Sequence, residues 1–187
     1  MRANGARRYG FHQLTDHWAA RIVADAAVPA AVLVLDVGAG TGALTRHLVA
    51  TGARVIAIEV HPTRAVLLRQ RFRHDAVTVV RVDASDLRLP RRPFRVVANP
   101  PFSITAAILR RLLAPGSRLV AADIVLPAHV AYRWAEGRAP GSGRWRLDYV
   151  TQVSARLPRS AFVPPATTAT AVLQVRQRAV SARVPRR

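Results

Sequence analysis

The sequence contains no cysteine and no long hydrophobic run. Without cysteine it can form no disulfide, no thiolate metal site and no catalytic thiol, a composition expected in a reducing compartment. Its longest apolar runs, such as residues 29–35, are far shorter than the ~20 residues that cross a membrane. Residues 1–8 are basic, but the apolar stretch of a secretory signal does not follow them. We therefore expect a cytoplasmic protein with no membrane segment.

Acidic residues are also few. Ten of them stand against 29 basic residues, all arginine, and the formal net charge is +19 on 187 residues. Codon bias explains the choice of arginine over lysine, but it does not explain the excess over acids. Arginine binds phosphate with two hydrogen bonds and stacks on bases, so this surplus favours a polyanionic partner. Nucleic acid is therefore the first partner class to consider. The six histidines lack metal-ligand spacing, and no metal is expected.

Helical and extended patterns alternate along the chain. Apolar spacing and turn signals predict helices over 15–27, 43–51, 61–73, 105–113 and 127–136, a loop over 137–143, and strands over 32–37, 54–59, 77–82, 94–98, 118–125, 147–157 and 170–175. This alternation predicts an α/β fold with a parallel, doubly wound sheet. The last two strands predict an antiparallel hairpin at the sheet edge, with the seventh strand inserted among the parallel ones. Residues 1–14 are interpreted as a basic N-terminal arm, 15–175 as the folded domain and 176–187 as an arginine-rich, solvated tail.

A glycine-rich turn follows the first strand of this domain. Gly38, Gly40 and Gly42 let the backbone approach a ligand closely, at the strand ends where open α/β sheets bind ligands. Their Gly-x-Gly-x-Gly spacing differs from the Gly-x-Gly-x-x-Gly of nicotinamide and flavin dehydrogenases, which argues against that class. Glu59 ends the next strand, where a carboxylate can accept hydrogen bonds from both ribose hydroxyls of an adenosine. The two features together predict a nucleoside-binding site.

A polar turn follows the third strand, at the height where an adenine ring would lie. Asp83 can accept a hydrogen bond from an amino group, and Ala84 offers the small apolar neighbour that a ring needs. Asp86 is interpreted as a structural residue that caps a turn.

The most informative motif is Asn-Pro-Pro-Phe, directly after the fourth strand. The side-chain oxygen of Asn99 and the carbonyl of Pro100 can accept the two N–H bonds of an exocyclic amine, which frees the nitrogen lone pair for methylation. The prolines hold the loop rigid, and Phe102 can stack on an extruded base. An ordinary proline-rich turn with a buried phenylalanine is the alternative, but the position of the motif after the glycine turn and Glu59 makes that alternative less favourable.

Together these motifs resemble those of the class I S-adenosylmethionine-dependent methyltransferases, and specifically the ribosomal RNA adenine-N6 methyltransferases of the Erm and KsgA types. Residues 99–105 are similar to the family pattern Asn-[Ile/Leu/Pro]-Pro-[Tyr/Phe]-x-Ile-[Ser/Thr], and residues 162–165 to its later aromatic-Pro-Pro segment. The resemblance covers residues 9–175. It implies a Rossmann-like, seven-stranded, mostly parallel sheet with helices on both faces.

The resemblance also implies roles for individual residues. S-adenosylmethionine would be bound by His12, Leu14, Gly38, Gly40, Gly42, Glu59, Asp83, Ala84 and Asn99. The adenine would be held by Asn99 and Pro100 and stacked on Phe102, with Phe162 as a second aromatic wall. The family usually has Gln-Asn-Phe near the cofactor, where this chain has Phe-His-Gln at residues 11–13.

Within the family, the sequence looks most like the actinobacterial Erm enzymes, and like the short mycobacterial-type members that lack a C-terminal helical domain. Such enzymes methylate an adenine of 23S ribosomal RNA in the peptidyl transferase loop and confer macrolide-lincosamide-streptogramin B resistance. We expect direct methyl transfer by a monomer, and we ask whether residues 176–187 supply part of the RNA affinity. Three alternatives stay open: KsgA-type methylation of 16S RNA, DNA adenine methylation, and an inactive RNA-binding module.

Overall fold

The computed structural model describes residues 12–178. Six helices alternate with most of the strands: α1 Asp16–Ala26, α2 Ala43–Ala50, α3 Pro62–Arg71, α4 Thr105–Leu112, α5 Ala128–Ala135 and α6 Ser142–Asp148. The strands are β1 Gln13–Leu14, β2 Leu33–Val37, β3 Arg54–Ile58, β4 Val77–Val80, β5 Phe94–Ala98, β6 Leu119–Pro127, β7 Tyr149–Leu157, β8 Phe162–Val163 and β9 Thr170–Gln177. No helix in this part of the chain is long and apolar enough to span a membrane.

Seven strands form the main sheet, in the order β4-β3-β2-β5-β6-β9-β7. Neighbouring strands from β4 to β6 pair in parallel, whereas β9 pairs antiparallel with both β6 and β7. This arrangement confirms the predicted class I methyltransferase sheet, including a seventh strand inserted among strands of the opposite direction. The carboxyl ends of β2, β3, β4 and β5 meet at one edge, where such sheets bind ligands.

Helices cover both faces of the sheet because its strands are apolar on both sides. In β5, Phe94 and Val96 belong to the core beneath α4 and α5, whereas Val97 belongs to the core beneath α1 and α2. Strand β2 is buried along its whole length, as expected of a central parallel strand. Pro62 opens α3 at a position where its missing N–H costs no helical hydrogen bond.

The domain extends beyond the predicted boundaries on both sides. Leu14 is buried, and β1 pairs antiparallel with β8, so the fold begins before residue 15. At the other end β9 continues to Gln177, because Arg176 is held by the buried carboxylate of Asp123 at 2.9 Å. The rest of the predicted arm and tail, residues 1–11 and 179–187, lies outside the described residues.

The segment predicted as a loop over 137–143 runs into a helix, α6, that begins at Ser142, and the sixth predicted strand, expected from residue 147, begins at Tyr149. Trp145 anchors this helix, since its side chain is buried and its ring lies 5.5 Å from that of Trp134. The tertiary contact between the two tryptophans therefore stabilises a helix in a segment whose glycine and proline content favours a loop.

Candidate active site

A cavity of about 330 Å³ opens at the carboxyl ends of β2, β3, β4 and β5. Its volume is at the lower end of the range for small-molecule sites. It gathers most of the predicted site residues: His12, Leu14, Gly38, Gly40, Glu59, Asp83, Ala84, Asn99, Pro100 and Phe102. The structure thus brings together residues separated by up to 90 positions in the sequence.

Gly38 is the point where the glycine turn touches the Asn-Pro-Pro-Phe loop. Its φ is +77°, and a Cβ at this position would lie 3.1 Å from Cδ of Pro101 and 3.2 Å from Cα of Pro100. The backbone N–H of Gly38 donates to the carbonyl of Ile58 at 2.9 Å, which fixes the turn to β3. Glycine is therefore required both by the backbone conformation and by the close approach of the second loop.

Gly42 does not line the cavity, contrary to the expectation that it contacts the cofactor. It precedes α2 with a φ of +90°, and a Cβ there would lie 2.7 Å from the ring of Phe72. Phe72 follows α3 and fills the space that the missing side chain leaves. The third glycine of the turn therefore serves the packing of α2 against α3, away from the cavity.

Glu59 is almost fully buried and both of its carboxylate oxygens are engaged by backbone N–H groups. Oε2 accepts from Gly40 at 2.8 Å, and Oε1 accepts from His61 at 2.8 Å. A guanidinium nitrogen of Arg64 lies 3.7 Å from Oε2. Each carboxylate oxygen can accept a second hydrogen bond, so Glu59 can orient the glycine turn and still accept ribose hydroxyls.

Asp36 is a cavity residue that the sequence analysis did not single out. One carboxylate oxygen accepts the hydroxyl of Thr45 at 2.6 Å, whereas Oδ1 is buried and has no hydrogen-bond partner within residues 12–178. Burial raises the pKa of this carboxyl to about 7, and the Thr45 hydroxyl opposes the shift. A lone carboxylate in an otherwise apolar strand was the available signal, and it creates a place for a cationic group.

Asn99 is fixed by the N-terminal segment of the described chain. Its Nδ2 donates to the carbonyl of His12 at 2.8 Å, which leaves Oδ1 as the acceptor of the amide. The His12 ring stacks beside Phe102, with ring centroids 6.5 Å apart and planes 27° from parallel. His12 therefore positions Asn99 through its backbone and forms part of an aromatic wall through its side chain.

Gln13 is the second cavity residue that the sequence analysis missed. Its Oε1 accepts a hydrogen bond from the Thr41 hydroxyl at 2.8 Å, which joins the N-terminal segment to the glycine turn. Leu14, the next residue, is 2% exposed and belongs to the core beneath α1 and α2. The N-terminal segment thus closes one side of the cavity.

Asp83 and Ala84 line the far wall. Asp83 is exposed, whereas Ala84 is buried, and the valines Val60 and Val82 add apolar surface beside them. The combination of one carboxylate and three apolar side chains suits a flat, heteroaromatic ring with an amino group. Each valine lies two residues after the end of a strand, β3 or β4, but their apolar character gave no functional signal in the sequence.

Phe162 does not line the cavity, and this corrects its assignment as a second aromatic wall. It lies in β8, where it pairs with Leu14 of β1, and its side chain is 1% exposed. The ring belongs to the core beneath α1 and α2. A buried ring in this position cannot stack on a base; it supports the strand that carries Leu14.

No group of three or more histidine, aspartate or glutamate side chains placed to hold a metal ion occurs in the described part of the chain.

Comparison with known proteins gives one family: the profile of the ribosomal RNA adenine dimethylase family matches residues 2–184.

Several curated proteins are similar to this chain. It is 32% identical to an rRNA adenine N-6-methyltransferase of Corynebacterium diphtheriae over 177 residues, which is 93% of this chain and 69% of that protein. It is 38% identical over 154 residues to a ribosomal RNA small subunit methyltransferase A of Acidobacterium capsulatum, 75% and 54% of the two chains. The mycinamicin-resistance protein MyrB of Micromonospora griseorubida is 37% identical over 137 residues, 70% of this chain and 42% of that protein.

Among solved structures, the 23S rRNA methyltransferase ErmE superposes with a TM-score of 0.77 at 29% identity, over 89% of this chain and 70% of that one. A dimethyladenosine transferase from Plasmodium falciparum superposes with the same TM-score at 20% identity, which speaks for the fold alone. It covers 89% of this chain and 64% of the other.

Proposed function

The chain belongs to the ribosomal RNA adenine dimethylase family, whose members methylate rRNA adenines, and on that premise we propose that it transfers methyl groups from S-adenosylmethionine to N6 of an adenine in 23S ribosomal RNA. The target would be the peptidyl transferase loop, and methylation would confer macrolide-lincosamide-streptogramin B resistance. The similarity to the 23S enzyme ErmE over 89% of this chain is the observation that carries the choice of RNA.

The cavity residues fit S-adenosylmethionine. Glu59 faces the position expected for ribose hydroxyls, and Asp83, Ala84 and the two valines suit the adenine. The buried Oδ1 of Asp36, which lacks a partner in the described chain, fits a cationic group of the ligand. When bound, S-adenosylmethionine supplies an electrophilic methyl group on a sulfonium, so the protein needs to provide orientation and electrostatics.

Asn99 and Pro100 hold the target amine. The amide Nδ2 of Asn99 is committed to the His12 carbonyl, so its Oδ1 accepts one N–H of the adenine amine, and the carbonyl of Pro100 accepts the other. These two acceptors draw the nitrogen lone pair out of conjugation with the ring. Phe102 stacks on the extruded base, with His12 beside it. The amine loses its proton after attack, so no dedicated general base is required.

Methyl transfer to three nucleic acids tests this proposal. Purified protein would be incubated with labelled S-adenosylmethionine and a 23S domain V transcript, 16S RNA or duplex DNA, and the product nucleosides analysed by mass spectrometry. We expect N6-methylated adenine in the 23S transcript alone. Cofactor binding without transfer to any naked nucleic acid would contradict naked RNA as the substrate and direct the assay to ribosomal particles.

A KsgA-type activity is the second candidate, because the small subunit methyltransferase A of Acidobacterium capsulatum is 38% identical over 154 residues. Methylation of 16S RNA, but not of the 23S transcript, would establish it and exclude the resistance function. Absence of cofactor binding would instead support an inactive RNA-binding module.

A further inference from the structure

We propose that the edge of the sheet opposite the cavity is a second RNA-binding surface, which grips backbone phosphates at a distance from the target adenine. This basic rim consists of Arg91, Arg92, Arg118, Arg144, Arg146 and Arg178. The inference rests on the proposed RNA substrate, but it concerns a surface that takes no part in the cavity.

The rim is continuous because the elements that carry it touch one another. Arg118 precedes β6, and its carbonyl accepts the backbone N–H of Phe94, two residues after Arg92, at 3.2 Å. The hydroxyl of Tyr149, which follows α6, donates to the carbonyl of Leu119 at 3.3 Å. These contacts link the loop before β5, the loop before β6 and the start of β7 along one edge.

The contacts of Arg178 complete this line. Its backbone N–H donates to the carbonyl of Asp148 at 2.7 Å, and its Nε donates to the carbonyl of Arg146 at 3.1 Å. Because β9 runs antiparallel to its neighbours, the end of that strand lies at the same edge as the beginnings of β5, β6 and β7. All six arginines therefore occupy the amino-terminal edge of the parallel strands.

The charge of the rim is not balanced by the protein. The segments that form it, 91–94, 113–118, 142–148 and 177–178, contain six arginines and a single acid, Asp148. Within residues 12–178, the guanidinium groups of Arg91, Arg92, Arg118 and Arg144 form no hydrogen bond or ion pair, and all four residues are exposed. By contrast, three arginines elsewhere are paired with carboxylates: Arg46 with Asp16, Arg64 with Glu59 and Arg176 with Asp123.

A polyanion is the partner that such a surface fits. Clustered exposed guanidinium groups raise the local positive potential, and each phosphate contact adds affinity through counterion release. Arg92 and Asn99 are seven residue steps apart, roughly 23 Å at about 3.3 Å per residue. One RNA segment in the cavity therefore cannot also cover the rim unless it continues well beyond the target loop. The rim therefore predicts a preference for larger RNA substrates.

Salt-dependent binding of two RNAs tests the rim. The variant R91Q/R92Q/R118Q removes three charges there, and R21Q/R69Q/R73Q removes three exposed charges from the face covered by α1 and α3 as a matched control. On a 23S domain V transcript, the slope of log K against log salt should fall in magnitude by about 2 to 3 for the rim variant, at 0.7 to 0.9 per phosphate contact. The affinity ratio of wild type to variant should then narrow by about 20- to 40-fold between 50 and 200 mM salt.

A short hairpin that carries only the target adenine provides the second readout. Its binding and methylation should change less than about twofold in the rim variant, because it does not reach the rim. An unchanged slope on the long transcript, or an equal loss in the control variant, would overturn the proposal. If the triple variant unfolds, Arg92→Glu should lower the magnitude of the salt slope on the long transcript by about 1 or more. A slope equal to that of the wild type in Arg92→Glu would also overturn the proposal. Failure of the wild type to methylate either naked RNA would instead contradict naked RNA as the substrate and direct the methylation assay to ribosomal particles, and the binding slopes would still decide on the rim.

Discussion

Replacing Asp36 by asparagine should remove a large part of the pH dependence of the chain's stability between pH 5 and pH 8. Burial raises the pKa of this carboxyl to about 7, from about 3.8 in an unfolded chain. Between these values the folded protein keeps a proton that the unfolded chain releases, so stability falls as pH rises. A shift of about three pH units corresponds to roughly 4 kcal/mol in total, of which about 2 to 3 kcal/mol is lost between pH 5 and 8.

Urea unfolding at several pH values measures this effect. Asparagine can still accept the Thr45 hydroxyl, which lies 2.6 Å from the carboxylate, so Asp36→Asn should fold and be the more stable protein at pH 8. Asp75→Asn, the same change at an exposed carboxyl, is the control and should follow the wild type. Parallel stability curves for wild type and Asp36→Asn would refute the assignment of a protonated, buried carboxyl to this position.

The same carboxyl connects stability to ligand binding. A cationic group placed beside Oδ1 would stabilise the carboxylate and lower the pKa of Asp36, so binding of S-adenosylmethionine near pH 6.5 should release a fraction of a proton. Calorimetry in two buffers with different ionisation enthalpies measures that proton. Release that persists unchanged in Asp36→Asn would show that the proton comes from elsewhere.

Four further substitutions probe the cavity and the glycine turn beside it. Asn99→Ala should reduce methyl transfer by about 100-fold or more while cofactor affinity, measured by calorimetry, stays within a few fold, because one acceptor of the amine is lost; wild-type turnover would contradict the acceptor role. Glu59→Gln should lower the free energy of unfolding by about 2 to 3 kcal/mol and weaken cofactor binding, since one of the two 2.8 Å contacts to backbone N–H groups loses its charged acceptor. Equal unfolding midpoints of the variant and the wild type would contradict this role of Glu59. Gly42→Ala should lower the unfolding free energy by about 2 to 4 kcal/mol through its positive φ and the clash with Phe72, with cofactor affinity retained in the folded fraction. Gly38→Ala, by contrast, should displace the Asn-Pro-Pro-Phe loop. Its main effect should therefore be a lower rate of methyl transfer, with a smaller effect on the free energy of unfolding.

Much of the cavity could be predicted because its residues follow strand ends. Gly38, Glu59 and Asn99 come directly after strands β2, β3 and β5, and Asp83 comes three residues after the end of β4. Parallel strands place their carboxyl ends at one edge. Once alternating strands and helices indicate the sheet, their convergence follows from topology. The two consecutive strands at the end of the domain also predicted an antiparallel hairpin with β9 inserted among the parallel strands, which the sheet confirms, but the order of the other strands was not predicted.

The residues that were misjudged depend on contacts between distant segments. Phe162 has an aromatic side chain before two prolines, but β8 pairs with β1, almost 150 residues earlier, and that pairing buries the ring. Gly42 shares a motif with Gly38, yet Phe72 determines its surroundings. Asp36 stands out as the lone carboxylate of an apolar strand, but only the tertiary structure shows that its Oδ1 lacks a partner in the described chain. In each case the residues adjacent in the sequence do not indicate the tertiary surroundings of the side chain.

The insertion of β9 between β6 and β7 bears on how the chain is synthesised. Strand β7 pairs with β9 alone in the main sheet, so it has no partner there until residues 170–177 have been translated. Until then the nascent protein presents two unpaired strand edges, those of β6 and β7, which are prone to aggregate. This half of the sheet therefore cannot close before residues 170–177 are made, and we expect translation arrested before residue 170 to leave a chain that depends on chaperones.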